Sequence, residues 1–277
     1  MIKALFFDLD GTLLTSGKTI APSTRAALLA CRERGLRIYI ATGRSPRLDR
    51  TLSWTPADLA LFDGGVYSNG ACVAMDGAVR WARIDPAAVA ECVRLTATHG
   101  AHISLHMDDG GHAFNFTLPR SIWGPWGVDE SNILPLDDDA ISRTVKLLIF
   151  HEYLIDPVTP LPPALLTDLQ SAVGEQVSLY LTDGGCTIQA AAKQVSKLTG
   201  IEVIRASLGL AEDEIAVFGD DLNDLPMLAR YPHSIAMGNA VPEAIAAAKH
   251  ITRSCDDNGI AHALLHILSI IPEVHES

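Results

Sequence analysis

The run Ala4-Leu5-Phe6-Phe7 is apolar at every position and stops at Asp8-Leu9-Asp10-Gly11-Thr12. A short, wholly apolar run closed by a polar, Gly-containing turn reads as a buried strand. After it, Ser23, which follows Pro22, is placed to N-cap a helix running to Arg34. Gly35 is placed to end that helix, with basic residues in its last turn. A second apolar run, Leu36 to Ala41, ends at Thr42-Gly43-Arg44. Strand, helix and strand with short joints make a βαβ unit, so the sequence predicts an α/β fold on a parallel sheet.

The same pattern returns late in the chain. A helix from about Ser196 to Leu208 leads to a strand, Ile215 to Phe218, which ends at Gly219-Asp220-Asp221. A helix from about Leu222 to Arg230, a strand near Ser234 to Ala236 and a helix near Val241 to Ala247 follow. The middle reads differently. It offers a helix (Pro86 to His99), strand-like runs (Ala101 to Met107, His112 to Leu118), a strand (Thr144 to Phe150), a helix (about Pro163 to Val173) and a strand (Gln176 to Leu181). Sheet segments with few βαβ crossovers suggest a separate α+β domain inserted into the first. The expected division is a Rossmann-like core of residues 1–82 and 187–277, with residues 83–186 inserted.

Three strands of the expected parallel sheet end in polar loops, at Asp8 to Thr12, Thr42 to Arg44 and Gly219 to Asp224. Open α/β sheets bind ligands outside the carboxyl ends of their strands, which puts these distant loops on one edge. Carboxylates gathered there repel one another by about 4 kcal/mol per pair at 4 Å and an effective dielectric of about 20. A cation resolves that repulsion, and an all-oxygen set without His or Cys favours Mg²⁺ bound together with a phosphate. Phosphate monoesters resist hydrolysis strongly. A carboxylate nucleophile divides the reaction into two easier displacements, and a second carboxylate can protonate the leaving alkoxide and then deprotonate water.

At this point the chain resembles the haloacid dehalogenase (HAD) superfamily, in the form of the Cof-like sugar-phosphate phosphatases with a C2 (type IIB) cap. The residues that carry the resemblance are Asp8-Leu9-Asp10-Gly11-Thr12-Leu13, Ala41-Thr42-Gly43-Arg44, Ser68-Asn69-Gly70-Ala71, Val195-Ser196-Lys197, Gly219-Asp220-Asp221-Leu222-Asn223-Asp224 and Asp257-Asn258-Gly259-Ile260-Ala261. They stand in family order and span nearly the whole expected core. The resemblance implies Asp8 as nucleophile and metal ligand. It implies Asp10 as general acid and base, with its backbone carbonyl on the metal, and Asp220 as the remaining protein ligand. Leu9 (through its backbone), Thr42, Gly43, Lys197 and Asn223 would hold phosphate. Asp224 would orient the metal shell or Lys197. The insertion would be the cap that excludes water and reads the leaving group. Before Lys197 the family's usual run is replaced by Gln189, Ala190, Ala192 and Gln194, with Leu198 for a common Gly, which leaves Lys193 as an alternative to Lys197.

The implied activity is a Mg²⁺-dependent phosphatase acting on a small phosphorylated metabolite, such as a sugar phosphate, through an aspartyl phosphate. A phosphomutase with the same cap is the alternative, and a phospho-aspartate signalling module a further one. The formal charge of −12 speaks against a nucleic-acid partner, which needs clustered Lys and Arg. The five cysteines are scattered and never spaced as CxxC, a pattern of reduced thiols rather than disulfides or a zinc site. Met1 to Phe7 meets Asp8 too soon for a signal peptide, and no apolar run approaches the roughly 20 residues that span a bilayer. A cytoplasmic protein is expected, with no membrane partner, as a monomer or homodimer. His102 and His106 share one strand face, with His99 and His112 nearby, and are expected to coat an exposed or pocket-facing side of the cap rather than bind zinc. Trp123 and Trp126 are expected in local packing, and Asp137-Asp138-Asp139 at a turn or helix start.

Overall fold

The computed structural model describes residues 1–52, 54–151 and 159–271. They fall into two compact units, Met1–Gly43, Trp54–Val79 and Ser196–Ser277 in the first, Arg44–Ser53 and Arg80–Val195 in the second.

The first unit is built on an eight-stranded sheet. In chain order its strands are β1 (Ala4–Phe7), β2 (Arg37–Ala41), β3 (Gly64–Tyr67), β4 (Cys72–Met75) and β5 (Ala78–Trp81), then β11 (Ile215–Gly219), β12 (His233–Ala236) and β13 (His250–Ile251). Their spatial order is β13-β12-β11-β1-β2-β3-β4-β5. The pairs from β13 through β3 are parallel, and β4 turns back antiparallel to β3. Every residue of β1 is buried, as its apolar run requires. Phe6 stacks on Tyr39 and Phe7 on Phe218, tying the central strand to both neighbours. Phe6, Tyr39, Val66 and Val217 form one core with Ile201 and Ile204 of the Lys197–Leu208 helix and Met227 and Leu228 of the Leu225–Arg230 helix.

The second unit carries a five-stranded antiparallel sheet in the order β7-β6-β8-β10-β9. Its strands are β6 (His102–Met107), β7 (His112–Phe114), β8 (Thr144–Phe150), β9 (Val177–Thr182) and β10 (Thr187–Ala192). One face presents Ile103, Leu105, Leu147, Ile149 and Ile188 to the helices Pro86–Thr98 and Pro163–Val173, which return Val89, Cys92, Leu165 and Leu169. The molecule is therefore mixed α/β, with a parallel sheet core and a separate antiparallel sheet.

Several local expectations change. Ser23 is not a cap: the helix is Pro22–Glu33, with Ala21 at the N-cap and Pro22 at its first position, where a missing N–H costs nothing. The helix expected from Leu222 begins instead as a tight turn, Leu222–Asp224, and becomes α-helical at Leu225–Arg230. The strand starting at His112 stops at Phe114. Asp137 accepts from the Ala140 N–H and so caps a short helix, and Trp123 donates to the Leu118 carbonyl. Among the described residues no helix is long and apolar enough to cross a membrane.

Candidate active site

Register alone brings the three polar loops together. Phe7 pairs with Ile40 on one side and Phe218 on the other, so the next residues out, beginning with Asp8, leave the sheet at one level. The Asp8 N–H still donates to the Phe218 carbonyl at 3.0 Å, which holds the first residue of the loop against β11.

Asp8 is 6% exposed and its Oδ1 accepts from the Lys197 ammonium at 2.6 Å. Lys197, 1% exposed, is the first residue of its helix, positioned by a reciprocal cap between Ser196 and Thr199. Its Nζ donates a second bond to Asp224 Oδ1 at 2.7 Å. The other oxygen of Asp224 accepts from the backbone N–H groups of Asp220 and Asp221 at 2.9 and 3.1 Å. Asp224 is thus fully engaged in holding Lys197 and the loop. The alternative lysine, Lys193, is elsewhere: its Nζ donates to the Gly174 carbonyl of the second unit.

Asp220 is oriented by Thr12, whose hydroxyl donates to its Oδ1 at 2.7 Å across 208 positions of sequence. Gly11 makes room for it. A Cβ there would stand 2.2 Å from Asp220 Oδ2, and the backbone at φ +80° is left-handed, so glycine answers both demands. Gly219 serves Asp224 in the same way, since a Cβ would meet its Cγ at 2.5 Å.

Carboxylate oxygens of Asp8, Asp220 and Asp224 lie within 4.8 Å of one another. Burial, the largest influence, pushes the Asp8 pKa well above the usual carboxylate value; Lys197 opposes it, and Asp224 and Asp220 add to it. Burial likewise lifts Asp220 to about 6, against the Thr12 hydrogen bond and with help from Asp224. Burial works against the charge of Lys197, but Asp224 and Asp8 outweigh it and raise its pKa. Two carboxylates that resist ionisation side by side are a fitting donor set for a divalent cation, which would relieve both. Asp224 has both oxygens engaged, by Lys197 and by backbone donors, whereas Asp8 and Asp220 each have one oxygen in a side-chain hydrogen bond and could offer the other to a metal.

Asp10 lies outside that cluster. Its Oδ1 accepts from Lys18 Nζ at 2.8 Å, on a turn in which Thr15 and Thr19 also bond. Leu9 is buried, and its carbonyl accepts from Thr12 and Leu14. Thr42, 1% exposed, continues the sheet by donating to Val66 and accepting from the Asn69 N–H. Asn69 then connects the second loop to the third: its Oδ1 accepts from Asn223 Nδ2 at 3.0 Å and lies 3.1 Å from where a Gly43 Cβ would be. Roles for Thr12 and Asn69 do not follow from residue type. Asn69 does carry a signal within the Ser68-Asn69-Gly70 run, since asparagine tolerates the left-handed backbone it adopts at φ +55°.

Comparison with known proteins identifies the family. The family model of haloacid dehalogenase-like hydrolases matches residues 5–264. An HMP-PP phosphatase of Serratia proteamaculans is 28% identical over 281 residues, covering 97% of this chain and 96% of that protein. The HMP-PP phosphatase of Escherichia coli is 27% identical over 277 residues, with 97% and 96% covered. The solved structure of a HAD subclass IIB sugar phosphatase superposes with a TM-score of 0.76 at 25% identity, covering 96% of this chain and 98% of its own. Another, from work on a trigonal-bipyramidal intermediate in a phosphoryl-transfer superfamily, gives 0.78 at 25% identity, with 96% and 99% covered. The chain belongs to the haloacid dehalogenase-like hydrolases, and it is a phosphatase.

Proposed function

We propose that the chain hydrolyses a small phosphorylated metabolite through an aspartyl phosphate on Asp8, with Mg²⁺ as its metal. The observation that carries this reading is the buried Asp8 carboxylate, held by Lys197 at the edge of the sheet and facing Asp220. Asp8 attacks phosphorus and the bond to the ester oxygen breaks. The departing alkoxide takes a proton from Asp10. Water then attacks the same phosphorus, Asp10 takes its proton, the bond to Asp8 breaks, and phosphate leaves with Asp8 restored.

Asp8, Asp220 and the Asp10 carbonyl would hold Mg²⁺, which supplies charge neutralisation on the transferring phosphoryl group. Lys197 adds fixed positive charge, while Thr42, Gly43, Asn223 and the Leu9 backbone position the phosphate oxygens. Asp224 keeps Lys197 in place. Residues 83–186 serve as the cap that selects the leaving group, with residues 1–82 and 187–277 as the catalytic core.

The test is a screen of phosphorylated metabolites with Mg²⁺, including sugar phosphates and HMP-PP, the latter because relatives of similar length are named for it. Native protein should release phosphate and dephosphorylated product one to one, where a phosphomutase would return the phosphoryl group to its substrate. Asp8→Asn should remain folded and lose about 10³-fold or more in kcat. Equal turnover by the two proteins would remove Asp8 from the chemistry.

A further inference from the structure

The run Asp257-Asn258-Gly259-Ile260-Ala261 carries part of the family resemblance, yet no step of the proposed reaction uses it. The turn that leads into it, Cys255–Asp257, is tied at two points to the chain that begins at Asp8. Asp256 Oδ1 accepts from the Ser16 N–H at 2.8 Å. The Cys255 N–H donates to Asn239 Oδ1 at 2.9 Å, and Asn239 Nδ2 donates in turn to the Gly11 carbonyl at 2.8 Å. The segment around Asn239 also holds the loop of Asp220. The Met237 N–H donates to the Gly219 carbonyl at 3.1 Å and the Val241 N–H to the Asp220 carbonyl at 2.9 Å.

We propose that Asn239 is a positioning residue for the metal-side carboxylates: it fixes the Gly11–Thr12 peptide and, through Thr12, the direction of Asp220. The inference rests on the reading that Asp220 holds Mg²⁺, and it adds a residue on which that role depends.

Gly11 needs such a tie. Glycine has the least restricted backbone of any residue, so its left-handed φ of +80° has to be held from outside. Its carbonyl is one half of the rigid peptide whose other half opens Thr12, so anchoring the carbonyl anchors the start of Thr12. The Thr12 hydroxyl then aims Asp220 Oδ1 at 2.7 Å. Gly11 is also packed so closely under Asp220 that a Cβ would stand 2.2 Å from Oδ2, and a shift of this backbone is felt by that carboxylate directly.

Asparagine is the side chain that suits both ends. The Cys255 N–H can only donate and the Gly11 carbonyl can only accept, so the partners determine which way the amide points. Capping the Cys255 N–H takes one oxygen, which aspartate or serine would supply as well; the nitrogen serves Gly11. Both hydrogen bonds are exposed, so they add little to folding, and position is what they supply.

The experiment follows the whole chain by two readouts. Asn239→Leu keeps the side-chain shape and Asn239→Ala shortens it; each removes both hydrogen bonds. In chelator, amide hydrogen exchange over residues 9–14, where Thr12, Leu13 and Leu14 donate to Leu9 and Asp8, should speed up about 10-fold while the urea midpoint stays native. Calorimetric titration should show Mg²⁺ bound about 10-fold more weakly. Thr12→Val removes the hydroxyl that aims Asp220, and the double variant should lose less than the product of the two single losses, because both act on one carboxylate. Ser254→Ala breaks the Ser254–Asp257 hydrogen bond of the same turn and should leave exchange and affinity native. Native Mg²⁺ affinity or unchanged exchange in the Asn239 variants overturns the inference, as do losses that multiply in the double variant, and Mg²⁺ binding by the native protein then leaves the metal reading standing. Failure of the native protein to bind Mg²⁺ overturns the metal reading itself. Unfolding of both Asn239 variants assigns the residue to stability and overturns the positioning role.

Discussion

Two buried polar clusters of this protein solve opposite problems. Around Asp8 the groups are charged and most are answered: Lys197 bridges Asp8 and Asp224, and Asp224 takes two backbone donors besides. Around His112 the unanswered groups, Ser104 Oγ, His106 Nε2 and His112 Nδ1, are a hydroxyl and two imidazoles. Charge can be buried only with its counter-charge, whereas a neutral hydroxyl or imidazole can be left unpaired at a smaller cost. The contrast teaches what each cluster asks of its surroundings: counter-charge in the first, hydrogen-bond partners in the second.

The sharpest way to break the first half of the comparison is to remove its cation. Lys197→Met leaves two carboxylates buried without their partner and should destabilise the protein by about 3–5 kcal/mol, read by urea denaturation. Lys193→Met, which removes an exposed contact to Gly174, should change stability by less than about 1 kcal/mol. Comparable losses in the two variants would mean that burial of the Lys197 pair is not what matters.

Acidity separates the two sites by sign. Asp220 rises from 3.8 to about 6 on folding without metal, so its contribution to stability is whole below 3.8 and lost as pH rises through 6. His112 falls from 6.5 to about 4, so its contribution is whole above 6.5 and lost as pH falls toward 4. Each shift amounts to about 3 kcal/mol. Denaturation in chelator between those limits should show Asp220→Asn removing a loss on the alkaline side and His112→Phe removing one on the acid side. Adding Mg²⁺ should abolish the Asp220 effect and leave that of His112. Matching slopes in both variants would contradict the assignment.

A smaller effect is expected at Gly11. An alanine there must adopt φ +80° with its Cβ against Asp220 Oδ2. Because that displaces a carboxylate proposed to hold the metal, Mg²⁺ affinity should fall about 10–100-fold, measured by calorimetric titration. An unaltered affinity would show that Asp220 is free to shift.

Much of the first site is legible in the chain because it depends on strand ends. Asp8, Thr42 and Asp220 each follow a recognisable apolar run, and parallel pairing of β1, β2 and β11 aligns them. Other elements are hidden by their composition. β3 opens with Gly64-Gly65, and β10 contains Gln189-Ala190-Ala191-Ala192, whose alanines prefer helix. Pairing with β8 on one side and β9 on the other overrides that preference.

The order and type of residues determined by themselves that a parallel α/β sheet would form and that acidic loops would end its central strands, because apolar periodicity and turn chemistry are local properties. Only the tertiary structure decided that Lys197 rather than Lys193 meets Asp8, that Thr12 aims Asp220, and that Ser104, His106 and His112 are buried together without partners. Those outcomes depend on helix phase, strand register and burial, which are set by packing between residues far apart in the chain.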